Sequence, residues 1–209
     1  MAHLADSVGT WLGKTRAGAE WVRSCARAPT ARIAIVCATA ADCRDVAIEG
    51  PSGILACCAP AERPDYEPSK RRLTWPNGAI AIAFSAEEPD RLRGPQHTHA
   101  WADEVAAWPR PEAWDQLMFG LRLGSDPRVV VTTTPRPTPL IRQLAKSPTT
   151  VLTCGSTHEN SANLAAGFIE EILAKYKGTR LEQQEVYGII LDDFEGALFK
   201  REFFKYRTP

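Results

Sequence analysis

A three-layer α/β domain, with a mainly parallel central sheet and a β-hairpin added to it, is the fold class that the sequence predicts. Three observations carry it. Residues 32–38 (Arg-Ile-Ala-Ile-Val-Cys-Ala) form an almost continuously apolar run, as a strand covered on both faces must. A helix-like segment precedes this run and another follows it, the alternation that places helices on a parallel sheet. Pro76-Asn77-Gly78 separates two β-rich runs, and Asn-Gly in that position is the strongest short-range hairpin signal.

The totals are compatible with one such domain. With 209 residues, 44% of them hydrophobic and 24% charged, the chain can bury a proper core. Lys plus Arg and Asp plus Glu both number 25, so no global basic excess announces nucleic-acid binding; any DNA contact must be local or supplied by a partner. No apolar stretch approaches the ~20 residues needed to span a bilayer, and residues 1–8 lack the charged and apolar regions of a signal peptide. A cytosolic protein is expected. The six cysteines show no C-x-x-C pair, which argues for reduced thiols, and the four histidines are not spaced as metal ligands or triad members.

In chain order, residues 1–8 read as a short polar leader and 15–25 as a helix with apolar Ala17, Ala19, Trp21, Val22 and Cys25 among charges. The strand 32–38 comes next. Thr39 is suited to cap a helix through about Ile48, which Glu49-Gly50-Pro51 ends. Residues 60–70, rich in proline and charge, read as a surface loop. The hairpin strands are 72–75 and 79–84. A charged connector, 87–94, holds Arg91 and Arg93, which suit either a solvated loop or phosphate sensing. Residues 108–123 read as a proline-started helix whose Ala113, Trp114, Leu117, Met118 and Leu121 fall at helical spacing. A β-branched strand, 128–134, runs out in three hydroxyls before Pro135. A helix at 139–146, a strand at 150–154 and two amphipathic helices, 164–176 and 181–191, complete the pattern.

Two stretches carry chemistry. Gly13-Lys14-Thr15 stands at a helix start, where backbone N–H groups and the helix dipole meet phosphates, a lysine reaches the β/γ oxygens and a hydroxyl ligates Mg²⁺. The full loop pattern wants a glycine at position 8. That residue is Val8, and Gly9 leaves only three residues before Gly13, so an ordinary helix N-terminus with an exposed lysine is the competing reading. The second stretch is 98–104, partly apolar and ending in Asp103-Glu104. Opposite a phosphate loop, Asp103 would hold the Mg²⁺ shell and Glu104 would orient and deprotonate the attacking water. Adjacent carboxylates are also common on solvated turns, and it is their pairing with Gly13-Lys14-Thr15 across an α/β alternation that favours the functional reading. Thr132, Thr133 and Thr134 end a strand, where open α/β sheets bind ligands; β-propensity alone also accounts for them.

Several segments together resemble the ATPase half of the large terminase subunit of tailed double-stranded DNA bacteriophages, including prophage and gene transfer agent versions. The resemblance rests on 13–21 (Gly-Lys-Thr-Arg-Ala-Gly-Ala-Glu-Trp), 92–97 (Leu-Arg-Gly-Pro-Gln-His), 101–104 (Trp-Ala-Asp-Glu), 121–124, 132–137, Glu159-Asn160 and 176–188. It implies a P-loop NTPase fold of the ASCE type and an ATP- and Mg²⁺-dependent motor that pumps double-stranded DNA into a capsid. It also implies partners: a portal, a small terminase subunit, and other copies of the chain in a ring, with no membrane. By the same resemblance Gly9, Gly13, Lys14 and Thr15 belong to the nucleotide loop, with Thr15 and Asp103 toward Mg²⁺. Glu104 is the catalytic base, Arg93 a candidate arginine finger worth ~10³-fold or more in rate, and Thr132 to Thr134 a coupling motif.

Departures from that pattern shape further expectations. Val8, Thr10 and Trp11 stand where glycine or arginine is usual, and Glu182 and Gln183 stand where glycine and arginine are often found. The sheet's first strand and the base pocket are expected to be missing or altered. The domain is expected to occupy 1–195, its part from 160 being a helical lid, followed by a linker, 196–209, with no nuclease domain and no DNA cleavage. The rival to a working motor is a truncated prophage remnant, catalytically impaired, that acts only as a binding or assembly module.

Overall fold

The structure, a computed structural model, describes residues 3–8, 13–134 and 136–155, together with 167, 175, 176, 178 and 179. The strands are β1 (His3–Val8), β2 (Arg32–Cys37), β3 (Asp65–Glu67), β4 (Arg72–Thr74), β5 (Ile80–Ser85), β6 (His99–Asp103), β7 (Arg128–Thr133) and β8 (Thr150–Gly155). The helices are α1 (Lys14–Cys25), α2 (Ala40–Asp42), α3 (Ile54–Cys57), α4 (Glu112–Gly120) and α5 (Pro139–Lys146). Among the described residues the strands form one sheet in the order β3-β4-β5-β2-β6-β7-β1-β8. From β5 to β8 every pairing is parallel; β3 and β4 add an antiparallel margin beside β5.

Alternation along the central strands divides the core into two. Ile33, Ile35 and Cys37 of β2, with Trp101 and Val130, pack with Ala19 and Val22 of α1 and with Ile48 and Ile54. On the other face Ala34, Val36, Ala100, Ala102, Val129 and Val131 meet Trp114 and Leu117 of α4 and Ile141 and Leu144 of α5. Helix, sheet and helix are therefore stacked, and the strands read as unbroken apolar runs because both faces are covered. Full burial of a side chain such as Leu117 or Ile35 contributes about 1.5–3 kcal/mol.

Several elements follow the expected chemistry closely. The hairpin turns at Gly78, in the left-handed region with φ of 94°, and the Trp75 N–H reaches the Ala79 carbonyl across it. Thr39 and Asp42 form a reciprocal capping box at the start of α2. Thr138 caps α5, accepting from the Ile141 N–H, with Pro139 in the first turn.

Others correct the expectation. His3–Val8, read as a polar leader while the sheet's first strand was expected to be missing or altered, is β1, hydrogen-bonded to β7 on one side and β8 on the other. Backbone ladders need no particular side chains, so the sequence pattern did not reveal it. Asp65–Glu67, assigned to a surface loop, is an edge strand against β4, short and charged as exposed edges are. The helix from Thr39 becomes π-helical over Cys43–Ile48, with the Glu49 N–H bonded to the Arg44 carbonyl. The 108–123 helix is shorter than expected: a 3-10 turn at Val105–Ala107 and two prolines delay α4 until Glu112. The helix at 181–191, most of the helix at 164–176 and of the 160–195 lid, and the 196–209 linker lie outside the described residues.

Candidate functional site

The site stands at the carboxyl edge of β6 and β7, where α1 begins. Gly13 precedes that helix with φ 84° and ψ 30°, a left-handed conformation that glycine adopts without strain. No side chain caps α1 and its first turn carries no acidic residue, so its positive end is unneutralised from within the helix. Lys14 opens the helix, only 6% exposed. Thr15 follows, half-buried.

Across the cleft, β6 ends at Asp103, which is 5% exposed. Glu104 then turns sharply, with φ 47° and ψ 46°. A non-glycine residue held there costs about 1–3 kcal/mol, which neighbouring structure has to offset. Part of the offset is visible: the Glu104 N–H donates to the Thr132 carbonyl at 2.6 Å, and the Thr134 N–H donates to Glu104 Oε2 at 3.2 Å. This turn aims the carboxylate at α1. The Lys14 ammonium donates to Glu104 Oε1 and, at 2.8 Å, to Thr134 Oγ1. The Thr134 hydroxyl in turn lies 3.2 Å from Glu104 Oε2.

Each of the three threonines serves a different neighbour. Thr132 Oγ1 donates to Asp103 Oδ1 at 2.6 Å and accepts from the Trp101 indole at 2.7 Å. Thr133 Oγ1 accepts from the Ala106 N–H at 3.0 Å and so holds the turn after Glu104. Thr134 joins the ion pair. Trp108 adds a bond from its indole to the Asp103 carbonyl at 2.9 Å. Burial pushes the Asp103 carboxyl up to about 6; the Glu104 charge works in the same direction, while the Thr132 hydroxyl and the Lys14 ammonium oppose it.

Of the residues singled out from sequence, the structure therefore brings together Lys14, Asp103, Glu104, Thr132, Thr133 and Thr134, with Gly13 and Thr15 beside them. Gly9 lies outside the described residues. Arg93 is not part of this cluster. Its side chain, 68% exposed, pairs with Asp90 at 3.5 Å and lines a shallow cavity of about 250 Å³ with Phe119 and Arg122. Sequence reasoning passed over Trp101 and Trp108 as supports of Asp103. A tryptophan two residues before a carboxylate on a buried strand was the available signal, since a buried indole N–H needs an acceptor.

The donor set fits a bound polyphosphate and one small hard cation. An uncapped helix start with a left-handed glycine and a buried ammonium suits anionic oxygens. One buried carboxylate and one hydroxyl suit Mg²⁺, which completes its shell with water and substrate oxygens. Among the described residues no group of three acidic, histidine or cysteine side chains converges to hold a metal unaided.

Comparisons with known proteins give a family through a family model and a fold through solved structures. The family model for the terminase large subunit, T4-like-virus type, N-terminal part, matches residues 7–205. A comparison with curated protein sequences gave no match. Among solved structures, the large terminase of the thermophilic bacteriophage D6E is similar with a TM-score of 0.72 and 15% identity, over 91% of this chain and 48% of that one. The same terminase in complex with ADP gives 0.73 and 14%, again over 91% and 48%. The ATPase domain of the Thermus phage P74-26 large terminase gives 0.69 and 14%, over 90% of this chain and 88% of that one. The chain thus spans about half the length of the D6E protein and most of the isolated ATPase domain. The fold they share is a three-layer α/β architecture with a mainly parallel sheet. With residues 7–205 matched by that model, the chain belongs to the large terminase subunits of the T4-like type, through their N-terminal domain.

Proposed function

We propose that this chain is the ATP-hydrolysing motor domain of a viral DNA-packaging machine. The observation that carries the reading is the convergence of Lys14, Asp103, Glu104 and Thr134 on one cleft at the carboxyl edge of the sheet. The family supplies the context. The D6E terminase that it resembles in fold is described in complexes with ADP and with ATP-γ-S.

In this reading the start of α1 receives the triphosphate: Gly13 lets the backbone approach, and Lys14 binds the β/γ oxygens. Thr15 and Asp103 would hold Mg²⁺, with Gly9 in the loop ahead of them. When bound, the cation neutralises charge on the transferring phosphoryl group. Phosphate oxygens compete with Glu104 for the Lys14 ammonium. The released carboxylate then accepts a proton from a water, whose oxygen bonds to the γ-phosphorus as the bond to the ADP oxygen breaks. Arg93, exposed and outside the cleft, serves as an arginine finger on a neighbouring copy in a ring. Thr132 to Thr134 couple the change at Glu104 to β7. Double-stranded DNA is the cargo, and the portal and small terminase subunit are the partners.

The decisive experiment replaces Glu104 by glutamine in the full chain. Hydrolysis is expected to vanish while a fluorescent ATP analogue still binds; undiminished hydrolysis would reject Glu104 as base. A wild-type chain that binds no analogue, with or without Mg²⁺, supports the impaired binding module instead.

A further inference from the structure

We propose that Trp101 is a positioning residue for Asp103: its indole sets the direction of the Thr132 hydroxyl, and that hydroxyl holds Asp103 Oδ1. The inference rests on the ATPase reading, in which Asp103 has a cation to meet.

The polarity of this relay follows from chemistry. An indole N–H only donates, an ionised carboxylate only accepts, and a threonine hydroxyl has a single proton. With Trp101 Nε1 at 2.7 Å and Asp103 Oδ1 at 2.6 Å from Thr132 Oγ1, the hydroxyl accepts from the first and donates to the second. Without the indole the hydroxyl is free to rotate toward other acceptors. All three side chains are buried, where a hydrogen bond is strengthened by the low dielectric and a lost one is costly.

The indole also touches the opposite wall of the cleft. Gly18, in the second turn of α1, packs directly on it: a Cβ at Gly18 would lie 2.1 Å from Trp101 Cε2 and 2.3 Å from Nε1. Glycine is unfavourable inside a helix relative to alanine, and contact with Trp101 accounts for its presence here. The helix that begins with Lys14 and the carboxylate at the end of β6 thus share one side chain. Displacement of α1 is passed to Asp103 through Trp101 and Thr132.

Two variants of the full chain test this. Trp101→Phe keeps an aromatic ring and removes the donor; Thr132→Val keeps the shape and removes the hydroxyl. Both are expected to raise the Mg²⁺ concentration for half-maximal hydrolysis about tenfold, the usual scale for losing a group that orients a metal ligand. Binding of a fluorescent ATP analogue in EDTA should stay within about twofold of wild type, and Thr132→Ser should restore the wild-type Mg²⁺ requirement. A second readout needs no turnover. In ¹⁵N spectra of the metal-free protein, the Trp101 indole signal, identified by its loss from Trp101→Phe, should move upfield in Thr132→Val and stay in place in Thr132→Ser. If Trp101→Phe does not fold, the Mg²⁺ requirement of the threonine pair still decides. An unmoved indole signal, an unchanged Mg²⁺ requirement, or a parallel loss of metal-free nucleotide binding would overturn the positioning role. A wild type without Mg²⁺-dependent hydrolysis would overturn the ATPase reading, and this role with it. Active wild type with indifferent variants would overturn the positioning role alone.

Discussion

The ammonium of Lys14 and the carboxylate of Glu104, 90 residues apart in the chain, are in direct ionic contact, with the Thr134 hydroxyl bonded to both. The lysine proposed to meet phosphate and the glutamate proposed to activate water therefore neutralise each other. Each role requires the pair to open.

Nucleotide binding should report that competition. Glu104→Gln removes the charge that phosphate must displace, and Glu104 is 37% exposed, so the pair is partly screened. Pairs of that kind contribute about 0.2–1 kcal/mol. Titration with a fluorescent ATP analogue is expected to show binding tightened by up to about fivefold. Weaker binding by the glutamine variant would contradict the competition.

Asp103 predicts a pH-dependent stability. Its folded carboxyl, held at about 6 mainly by burial, lies above the ordinary 3.8. The folded state therefore binds the proton more tightly; this stabilising contribution is complete below about 3.8 and is lost as pH rises through about 6. Asp103→Asn, which stays neutral, should raise the melting temperature at pH 8, and the gain should fade as pH drops through that window. Thermal melts at pH 8 and pH 4 check it; equal gains at both would sink the argument.

His97 predicts the opposite slope. It is buried, packs edge-on to Phe84, and its Nε2 has no partner among the described residues. Burial lowers its pKa to about 4 from 6.5, so the neutral ring is favoured in the fold. That contribution is complete above 6.5 and lost as pH falls through about 4. His97→Phe should reduce the stability lost between pH 7 and pH 4.5 by about 1–2 kcal/mol in urea titrations. An unchanged loss would mean that other groups drive acid unfolding.

Arg93 predicts a loss visible only in assembly. Its exposed side chain supports nothing buried, so Arg93→Ala should change stability by no more than about 0.5 kcal/mol. Hydrolysis by the assembled ring should fall by about 10³-fold, while single copies keep their low rate. A ring of Arg93→Ala chains that hydrolyses ATP at the wild-type rate would remove the finger from this position.

Much of this arrangement was readable in the amino-acid order where one local cause dominated. β2 and β7 are buried on both faces and read as apolar runs; Asn77-Gly78 sets the hairpin; Thr138-Pro139 sets the start of α5. The residues that meet in the cleft were readable because Gly13-Lys14-Thr15 and Asp103-Glu104 each cluster within a short stretch. What escaped depends on partners distant in sequence. β1 is a strand because β7 and β8 flank it, and β3 because β4 offers an edge. The left-handed turn at Glu104 needs the Thr132 carbonyl and the Thr134 N–H, and the role of Trp101 needs both Gly18 and Thr132.

The strand order has a mechanical consequence. β7 lies between β1 and β6, so the two walls of the cleft hang from non-adjacent strands whose spacing is set by an intervening ladder. Sliding one strand by a single residue, about 3.3 Å, would exchange its two apolar faces, so a sheet covered on both sides resists such slippage. The gap between lysine and glutamate is thus geared by side-chain swings and by the segments beyond the strand ends, while the sheet acts as a stiff chassis. In the proposed motor, a power stroke is delivered through those segments.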